Sequence, residues 1–135
     1  GGASTGAAPQ SQVTTVDLAS TAGAAPTAPR IVYFDFDSFV IKDEFKPMIE
    51  SNAKALVANA GRKLTVEGHT DERGGTEYNL ALGQKRAQAV VKALALLGAK
   101  EAQLEAVSFG KERPADAGHD EAAWAKNRRA ELKDR

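Results

Sequence analysis

The chain has 135 residues, a length that suits one domain of ordinary size and leaves too little for two well-packed ones. Its 18 basic and 18 acidic side chains give a formal net charge of zero, which argues against nucleic acid or an anionic membrane surface as the main partner, because both need a basic excess. The sequence contains no cysteine, so disulfide bonds, zinc–thiolate sites, thiol catalysis and iron–sulfur centres are excluded.

Residues 1–30 have an unusual composition. Twenty-five of them are Gly, Ala, Ser, Thr, Pro or Gln, and none is aromatic. Such a segment cannot bury enough apolar area to offset the entropy that ordering would cost, so we predict a flexible tether over residues 1–30. The alternative is that Val13, Val16 and Leu18 form a weak helix that docks on a partner.

The first half of residues 31–135 predicts a strand, a helix and a second strand. The segment Ile31–Phe36 is β-branched and aromatic, which is typical of a buried strand. The next helix should end at Gly61 in the C′ position, and the alternating segment Leu64–Glu67 should form the second strand, followed by a glycine-rich loop over Gly68–Gly75. The apolar stripe of this helix consists of Phe45, Ile49, Leu56, Val57 and Ala60.

A long helix is predicted to begin after Thr76, as its N-cap, and to end near Gly98. A strand, a short helix and a last strand follow, over Leu104–Phe109, Glu121–Lys126 and Arg129–Leu132. The element order β-α-β-α-β-(α)-β predicts an α+β fold, a two-layer α/β sandwich with the helices on one face of a mixed sheet.

The sequence lacks the signatures of phosphate binding, and nothing in it gives a nucleophile the structural context that catalysis requires. The glycines of the 68–75 loop lack the GxGxxG spacing of a dinucleotide site, and Gly110-Lys111 lacks the upstream glycine and the following Ser or Thr of a phosphate-binding loop. There is also no HExxH motif, and the one GxSxG match, Gly2–Gly6, lies in the predicted tether, without the strand-to-helix turn that a nucleophilic serine needs. We therefore expect a protein that is not an enzyme and has no cofactor.

Four polar side chains could take part in metal binding or acid–base chemistry. His69 and Asp71 could chelate a metal, but two ligands are too few, and we interpret His69 as a loop residue hydrogen-bonded to backbone. Asp35 and Asp37 stand at a strand end, where they could serve in acid–base chemistry or cap the next turn. We expect no metal site.

One charged residue falls on the apolar side of the long helix. At 100° per residue, Arg86 lies one turn after Leu82 and one turn before Val90. A buried guanidinium needs an anion, and Asp71 and Glu72 lie in the preceding loop. The predicted inward stripe is Tyr78, Leu82, Ala89, Val90, Ala93 and Leu97.

Two interpretations of this arginine remain open. In the first, an internal Arg86–Asp71 salt bridge pins the loop to the helix. In the second, the pair is held ready for a ligand with an amine and a carboxylate on one carbon. Arg86 would then bind the carboxylate with its planar fork, and Asp71 would accept a hydrogen bond from the ammonium group.

Several dispersed motifs resemble the OmpA-like C-terminal domain family. They lie in the family's order, so the resemblance covers residues 31–133, and its aspartate and arginine fall on Asp71 and Arg86. The motifs are Val32–Asp37, Gly68–Val91, Ser108–Pro114 and Lys126–Leu132.

This resemblance implies non-covalent binding of peptidoglycan through the meso-diaminopimelate of its stem peptide. The D-centre of diaminopimelate carries the amine and the carboxylate that Asp71 and Arg86 would require. By the same resemblance, further ligand contacts are expected from Phe36, Asp37, Ser38, Leu82, Arg73, Thr76, Asn79 and Arg129. A structural role is the alternative for each secondary residue, and Asn79 could cap the first helical turn.

The most similar members of the family are lipid-anchored proteins of the outer membrane whose folded domain lies in the periplasm. They bind TolB and help to keep the envelope intact during division, and the resemblance implies the same partner and location here. Since the sequence has no cysteine, the lipidated residue is expected upstream of this segment. The alternatives are another cell-wall anchor of the OmpA or MotB type, or an enzyme that acts on the cell wall.

Overall fold

The computed structural model describes residues 30–135, so all but the last residue of the tether predicted over 1–30, and its alternative docking helix, lie outside the described residues. Arg30, assigned to the tether by prediction, forms an ion pair with Asp134 at 3.0 Å. The strands are β1 (Ile31–Tyr33), β2 (Leu64–His69), β3 (Leu104–Gly110) and β4 (Arg129–Asp134), and the helices are α1 (Lys46–Ala58), α2 (Thr76–Leu96) and α3 (Glu121–Asn127).

The four strands form one mixed sheet in the order β1-β4-β2-β3. Strands β2 and β3 are parallel, whereas β4 runs antiparallel to both of its neighbours, β1 and β2. The predicted α+β fold with a mixed sheet is thereby confirmed. The topology brings the carboxyl ends of β1 and β2 to the side where β4 begins, because β4 is antiparallel to both strands.

Helices α1 and α2 cover one face of the sheet, with a single apolar core between the two layers. Residues from both helices and from β1, β2 and β4 pack into one cluster. Its largest fully buried members are Phe34, Leu56, Leu64, Leu94, Val32, Val66 and Val90. Among residues 30–135, no helix is both long and apolar enough to cross a membrane.

Helix α2 lies unusually close to β2. A Cβ on Gly68 would stand 1.7 Å from the carbonyl oxygen of Gly83, which no side chain can tolerate. The two glycines therefore let the helix backbone rest on the strand backbone, and this contact lies less than one helical turn before Arg86.

Several predicted boundaries were wrong for local reasons. Strand β1 ends at Tyr33, not Phe36, because Ser38 N–H donates to the Asp35 carbonyl and turns the chain out of the sheet. Helix α1 ends at Ala58 with Asn59 as C-cap, so Gly61 is not its C′ residue. The N-cap of α2 is Gly75, and Thr76 is the first helical residue.

The C-terminus of α2 follows the prediction more closely. Gly98 adopts a φ of 113°, and its N–H donates to the Ala95 carbonyl while that of Ala99 donates to Leu94. This pair of hydrogen bonds is the Schellman arrangement that glycine favours at C′.

The inward face of α2 is rotated from the predicted stripe. Leu82 and Val90 are buried as expected, but Tyr78 and Leu97 are about half exposed. Asn79 and Gly83 are buried in their place.

Candidate functional site

The loop after β1 forms one wall of the site. Asp37 has a φ of 53°, a left-handed conformation that Asp tolerates better than most residues, and the tight turn at Asp35–Ser38 leaves the Phe36 ring 61% exposed. The Ser38 hydroxyl accepts a hydrogen bond from Val40 N–H, which fixes the end of this turn.

Arg86 is fully buried at the base of the site. Its Nε donates to the Ser38 carbonyl at 2.8 Å, Nη1 donates to the His69 carbonyl at 2.9 Å, and Nη2 donates to the Asp35 carbonyl at 3.2 Å. Burial lowers the pKa of Arg86 to about 10, against the opposing charge of Asp71, so the side chain remains protonated at neutral pH. Arg86 therefore ties the first loop to the end of β2.

Asp71 lies in the loop after β2 and is almost fully buried. Its carboxylate accepts hydrogen bonds from Arg73 Nη2 at 2.7 Å and from Arg73 N–H at 2.9 Å, and Arg128 Nη1 lies 3.6 Å away. Burial by itself would raise the pKa of Asp71, but the hydrogen bonds from Arg73 and the charges of both arginines hold it below the ordinary value. Asp71 is thus ionised at neutral pH.

The direct Arg86–Asp71 salt bridge, the first of the two sequence interpretations, is absent from the described residues. Asp71 pairs with Arg73 and Arg128, while Arg86 donates to three backbone carbonyls. The two charges still influence one another, since Asp71 favours the protonated form of Arg86. Asp71 and Arg86 therefore line the same space but are not bonded to each other.

That space is a pocket of about 230 Å³ between the first loop, the 70–75 loop and the first turns of α2. Seven predicted site residues line it: Phe36, Asp37, Asp71, Arg73, Asn79, Leu82 and Arg86. Asn79 is buried and donates from its side chain to the Arg73 carbonyl, so its position in the first turn of α2 supports the loop that carries Asp71.

Three predicted site residues do not line the pocket. Ser38 contributes through its backbone carbonyl, which holds Arg86. Thr76 is exposed at the start of α2, outside the pocket lining. Arg129 is buried on β4, where it donates to Glu131 at 2.5 Å and to the Arg113 carbonyl at 3.1 Å.

The structure adds pocket residues that the sequence prediction missed, namely Thr70, Gly74 and Tyr78. Tyr78 was assigned to the apolar stripe, but its hydroxyl donates to the Asp37 carboxylate, which raises the pKa of Tyr78. This contact joins α2 to the first loop across the pocket. The sequence signal that could have indicated this role is the position of the tyrosine in the first turn of a helix, directly after a polar loop, where its hydroxyl can reach a polar partner.

Arg73 is held at the rim by two aromatic rings. Its guanidinium carbon lies 4.3 Å from the centre of the Phe36 ring and 4.1 Å from that of the Trp124 ring. Hydrogen bonding to Asp71 raises the pKa of Arg73. Trp124 in turn donates from Nε1 to the Glu72 carboxylate at 2.8 Å. Glu72 also pairs with His119.

His69 does not occupy a loop, as the sequence suggested, but ends strand β2. Its ring is buried and stacks on Phe109 with 5.6 Å between ring centres, and neither ring nitrogen has a hydrogen-bond partner. Burial, reinforced by the charge of Arg129, lowers the pKa of His69 to about 4, so the ring is neutral at pH 7. Within residues 30–135, no group of three or more His, Asp or Glu side chains could hold a metal ion.

The comparisons with known sequences agree on one family. The model of the OmpA family matches residues 33–128. The peptidoglycan-associated lipoprotein of Pseudomonas aeruginosa is 50% identical over 118 residues, which cover 87% of this chain and 70% of that protein. The protein of the same name from Haemophilus influenzae is 52% identical over 101 residues, which cover 75% of this chain and 66% of that protein.

Solved structures show the same fold. The peptidoglycan-associated lipoprotein of Burkholderia pseudomallei superposes with a TM-score of 0.78 at 55% identity, covering 78% of this chain and 90% of that one. The C-terminal domain of Helicobacter pylori MotB superposes with a TM-score of 0.70 at 24% identity, covering 82% and 85%. At that low identity, the second likeness concerns the fold alone.

Proposed function

The chain belongs to the OmpA family, as its motifs predicted, and we propose that it binds peptidoglycan non-covalently through the diaminopimelate of the stem peptide. The observation that carries the proposal is the pocket itself, which has a buried carboxylate, Asp71, and a buried guanidinium, Arg86, in its wall without a direct bond between them. A ligand carbon that bears both an ammonium and a carboxylate group satisfies these two charges together.

The hydrogen-bonding capacity of the two side chains supports this assignment. A guanidinium carries five N–H donors, and three of the Arg86 nitrogens each donate to one carbonyl, which leaves two N–H groups for a ligand carboxylate. A carboxylate offers about four acceptor positions, so Asp71 can accept from an ammonium group beside Arg73. Both side chains are also buried, and hydrogen bonds to buried charges are stronger than those in water.

Access to Arg86 requires a change in the first loop or in Tyr78. The Arg86 side chain is 0% exposed, and the Tyr78–Asp37 contact crosses the pocket above it. In the proposed complex, the ligand carboxylate displaces this contact and enters between Asp37 and α2. Leu82 then forms the apolar wall beside the aliphatic chain of diaminopimelate.

The relatives named peptidoglycan-associated lipoproteins support the wider role that we propose. In this role the domain lies on the periplasmic side of the outer membrane, held by a lipid on an N-terminal cysteine of the full-length precursor. It binds TolB and acts in the Tol–Pal system, which maintains envelope integrity and supports cell division. Its action is binding, without catalysis.

A cell-wall anchor of the OmpA or MotB type is the second candidate, because the family model that matches this chain is that of the OmpA family as a whole. It would use the same ligand and differ in its membrane attachment. Sequence identity favours the lipoprotein role over this second candidate. The chain is 50% identical to the Pseudomonas aeruginosa lipoprotein but only 24% identical to the MotB domain.

The test is an NMR chemical-shift titration of the chain with a diaminopimelate-containing muropeptide and, in parallel, with its lysine-containing counterpart. Lysine lacks the second carboxylate, so we expect saturable shifts at Asp71, Leu82 and Arg86 with the first ligand only. Equal shifts with both ligands, or none with either, would contradict the proposed recognition.

Two variants test the charged pair. Asp71→Asn and Arg86→Lys should each weaken binding of the diaminopimelate muropeptide roughly 10- to 100-fold, because each loses a charge-assisted hydrogen bond of about 1.5–3 kcal/mol. Lys54→Ala, on α1 and outside the pocket lining, is the matched control and should bind like the wild type. Calorimetric Kd values provide the measurement.

A further inference from the structure

The rim arginine of the pocket, Arg73, is held in one orientation by its neighbours. The rings of Phe36 and Trp124 both lie against its guanidinium, with their centres 4.3 and 4.1 Å from the guanidinium carbon. One edge of the same group is occupied by Asp71, which accepts from Nε at 3.3 Å and from Nη2 at 2.7 Å. Only the far edge of the guanidinium is left for another partner.

That far edge is free and accessible. Among the described residues, Arg73 Nη1 has no hydrogen-bond partner, and the side chain is 34% exposed. The N–H groups of Nη1, with the second N–H of Nη2, form a fork of the width that binds a carboxylate through two parallel hydrogen bonds. Because Arg73 is already immobilised, little side-chain entropy remains to be lost on binding.

The nearby acidic side chains have other partners. Glu72 accepts hydrogen bonds from Trp124 Nε1 and pairs with His119, both at 2.8 Å. Glu121 pairs with Arg128 at 2.9 Å. Asp71 and the charge of Glu121 partly balance the charge of Arg73, but within the described part of the chain no carboxylate hydrogen-bonds to its Nη1.

We infer that Arg73 forms a second anion subsite at the rim, which takes a carboxylate of the ligand in addition to the amine–carboxylate centre bound in the pocket. This inference rests on the proposed function. In a stem tripeptide two groups have the required chemistry: the free α-carboxylate of the γ-linked D-glutamate and the carboxylate at the L-centre of diaminopimelate. The site thus distinguishes stem peptides by amidation.

The test measures calorimetric Kd values of the full chain for three peptides. They are L-Ala-γ-D-Glu-meso-diaminopimelate, the same peptide amidated at the glutamate α-carboxylate, and the same peptide amidated at the L-centre of diaminopimelate. One amidation should weaken binding about tenfold, the equivalent of about 1.4 kcal/mol, and thereby identify which carboxylate Arg73 binds.

The variant Arg73→Gln should bind all three peptides with equal affinity, because its amide cannot distinguish a carboxylate by charge. Comparing peptides within one variant cancels any effect of the substitution on Asp71, which loses a partner in all three cases. His119→Ala, which changes only an exposed partner of Glu72, is the matched control and should keep the wild-type discrimination.

The outcomes separate this inference from the proposed function. Equal Kd values of the three peptides for the wild type, or the same discrimination in Arg73→Gln, would overturn the rim subsite and leave diaminopimelate binding in place. Failure of all three peptides to bind the wild type would overturn the proposed function and the rim subsite with it.

Discussion

Arg86 combines structural and binding capacity in one side chain. Its three hydrogen bonds hold the carbonyls of Asp35, Ser38 and His69, which belong to two separate segments of the chain. Each bond has a charged donor, and the one to His69 is buried, so removing the side chain would leave the His69 carbonyl unsatisfied. The substitution Arg86→Lys is therefore a better probe of binding than Arg86→Ala, since it keeps a buried cation at the site.

His69 shows how a residue beside the site affects stability. The ring lies on the sheet face opposite the helices, near Arg129, Glu67 and Glu131, and its backbone carbonyl holds Arg86. A protonated ring there would lose hydration and face the positive charge of Arg129. The fold consequently favours neutral His69.

This preference predicts a pH dependence of stability. The pKa of His69 is about 4 in the folded state and about 6.5 when unfolded, so the unfolded chain binds the extra proton as the pH falls below 6.5. Between pH 7 and pH 5 the wild type should lose about 2 kcal/mol of unfolding free energy more than His69→Gln, which has no titrating ring.

Urea unfolding of both proteins at several pH values measures this difference. The carboxylates titrate in both proteins, so their contribution cancels in the comparison. Parallel stability curves between pH 7 and pH 5 would contradict the assigned burial of a neutral His69.

At the scale of elements, the site depends on how closely α2 approaches the sheet. The Gly68–Gly83 contact sets the depth of the helix over β2, and Asn79, Leu82 and Arg86 lie within about one helical turn of Gly83. The loop between β2 and α2 carries Asp71 and Arg73, so its ends are fixed by the same contact. The separation of the two charges in the pocket thus follows from a packing distance between two backbones.

Gly68→Ala should therefore damage both stability and binding. The added Cβ would meet the Gly83 carbonyl oxygen at 1.7 Å, and since the obstacle is backbone, α2 must move away from the sheet. We expect a loss of about 3 kcal/mol in the free energy of unfolding and a lower affinity for the muropeptide.

The matched control is Gly75→Ala. Nothing lies within 4 Å of a Cβ at Gly75, although this residue caps α2 only seven positions further along the chain. The Gly75→Ala substitution should lower the free energy of unfolding by less than about 1 kcal/mol, since it changes only the preference of the residue for the N-cap position. A similar loss of stability in both variants, measured by urea unfolding, would rule out the close approach as the cause.

At the scale of the whole molecule, residues 30–135 share one apolar core. The apolar cluster draws on β1, α1, β2, α2 and β4, all of which lie within residues 31–135. The first strand is short, yet Val32 is fully buried in this cluster, so the domain needs β1. The separation between a tether and one folded domain stays a prediction, since residues 1–29 lie outside the described part of the chain.

Removal of residues 1–29 should leave Tm unchanged within about 2 °C, and the Kd for the diaminopimelate muropeptide within about twofold, because no described core residue is removed. A chain that begins at Phe34 lacks Val32 and the pairing of β1 with β4, and it should be strongly destabilised. Thermal unfolding of both chains provides the measurement. A marked fall in Tm for the chain lacking only residues 1–29 would contradict this prediction and show that these residues stabilise the folded domain.

Sequence patterns predicted most elements because their signals are local. Strand β2 alternates apolar and polar residues, and Gly98 stops α2 with the conformation that glycine favours. The boundaries were less predictable, as at Phe36, where a turn held by hydrogen bonds ends the strand. The rotation of α2 was also missed, because Asn79 is buried by its bond to the Arg73 carbonyl, which no helical periodicity encodes.

For this protein, the sequence by itself determined the family, the α+β fold and the two charged residues that the pocket brings together. Those conclusions depend on composition, periodicity and motif order, which are properties of the chain. Only the tertiary structure decided the partners of these charges: Arg73 and Arg128 for Asp71, and three carbonyls for Arg86. The reason is physical, since a buried charge pairs with the nearest groups in space, and apart from Arg73 those groups lie on segments distant along the chain.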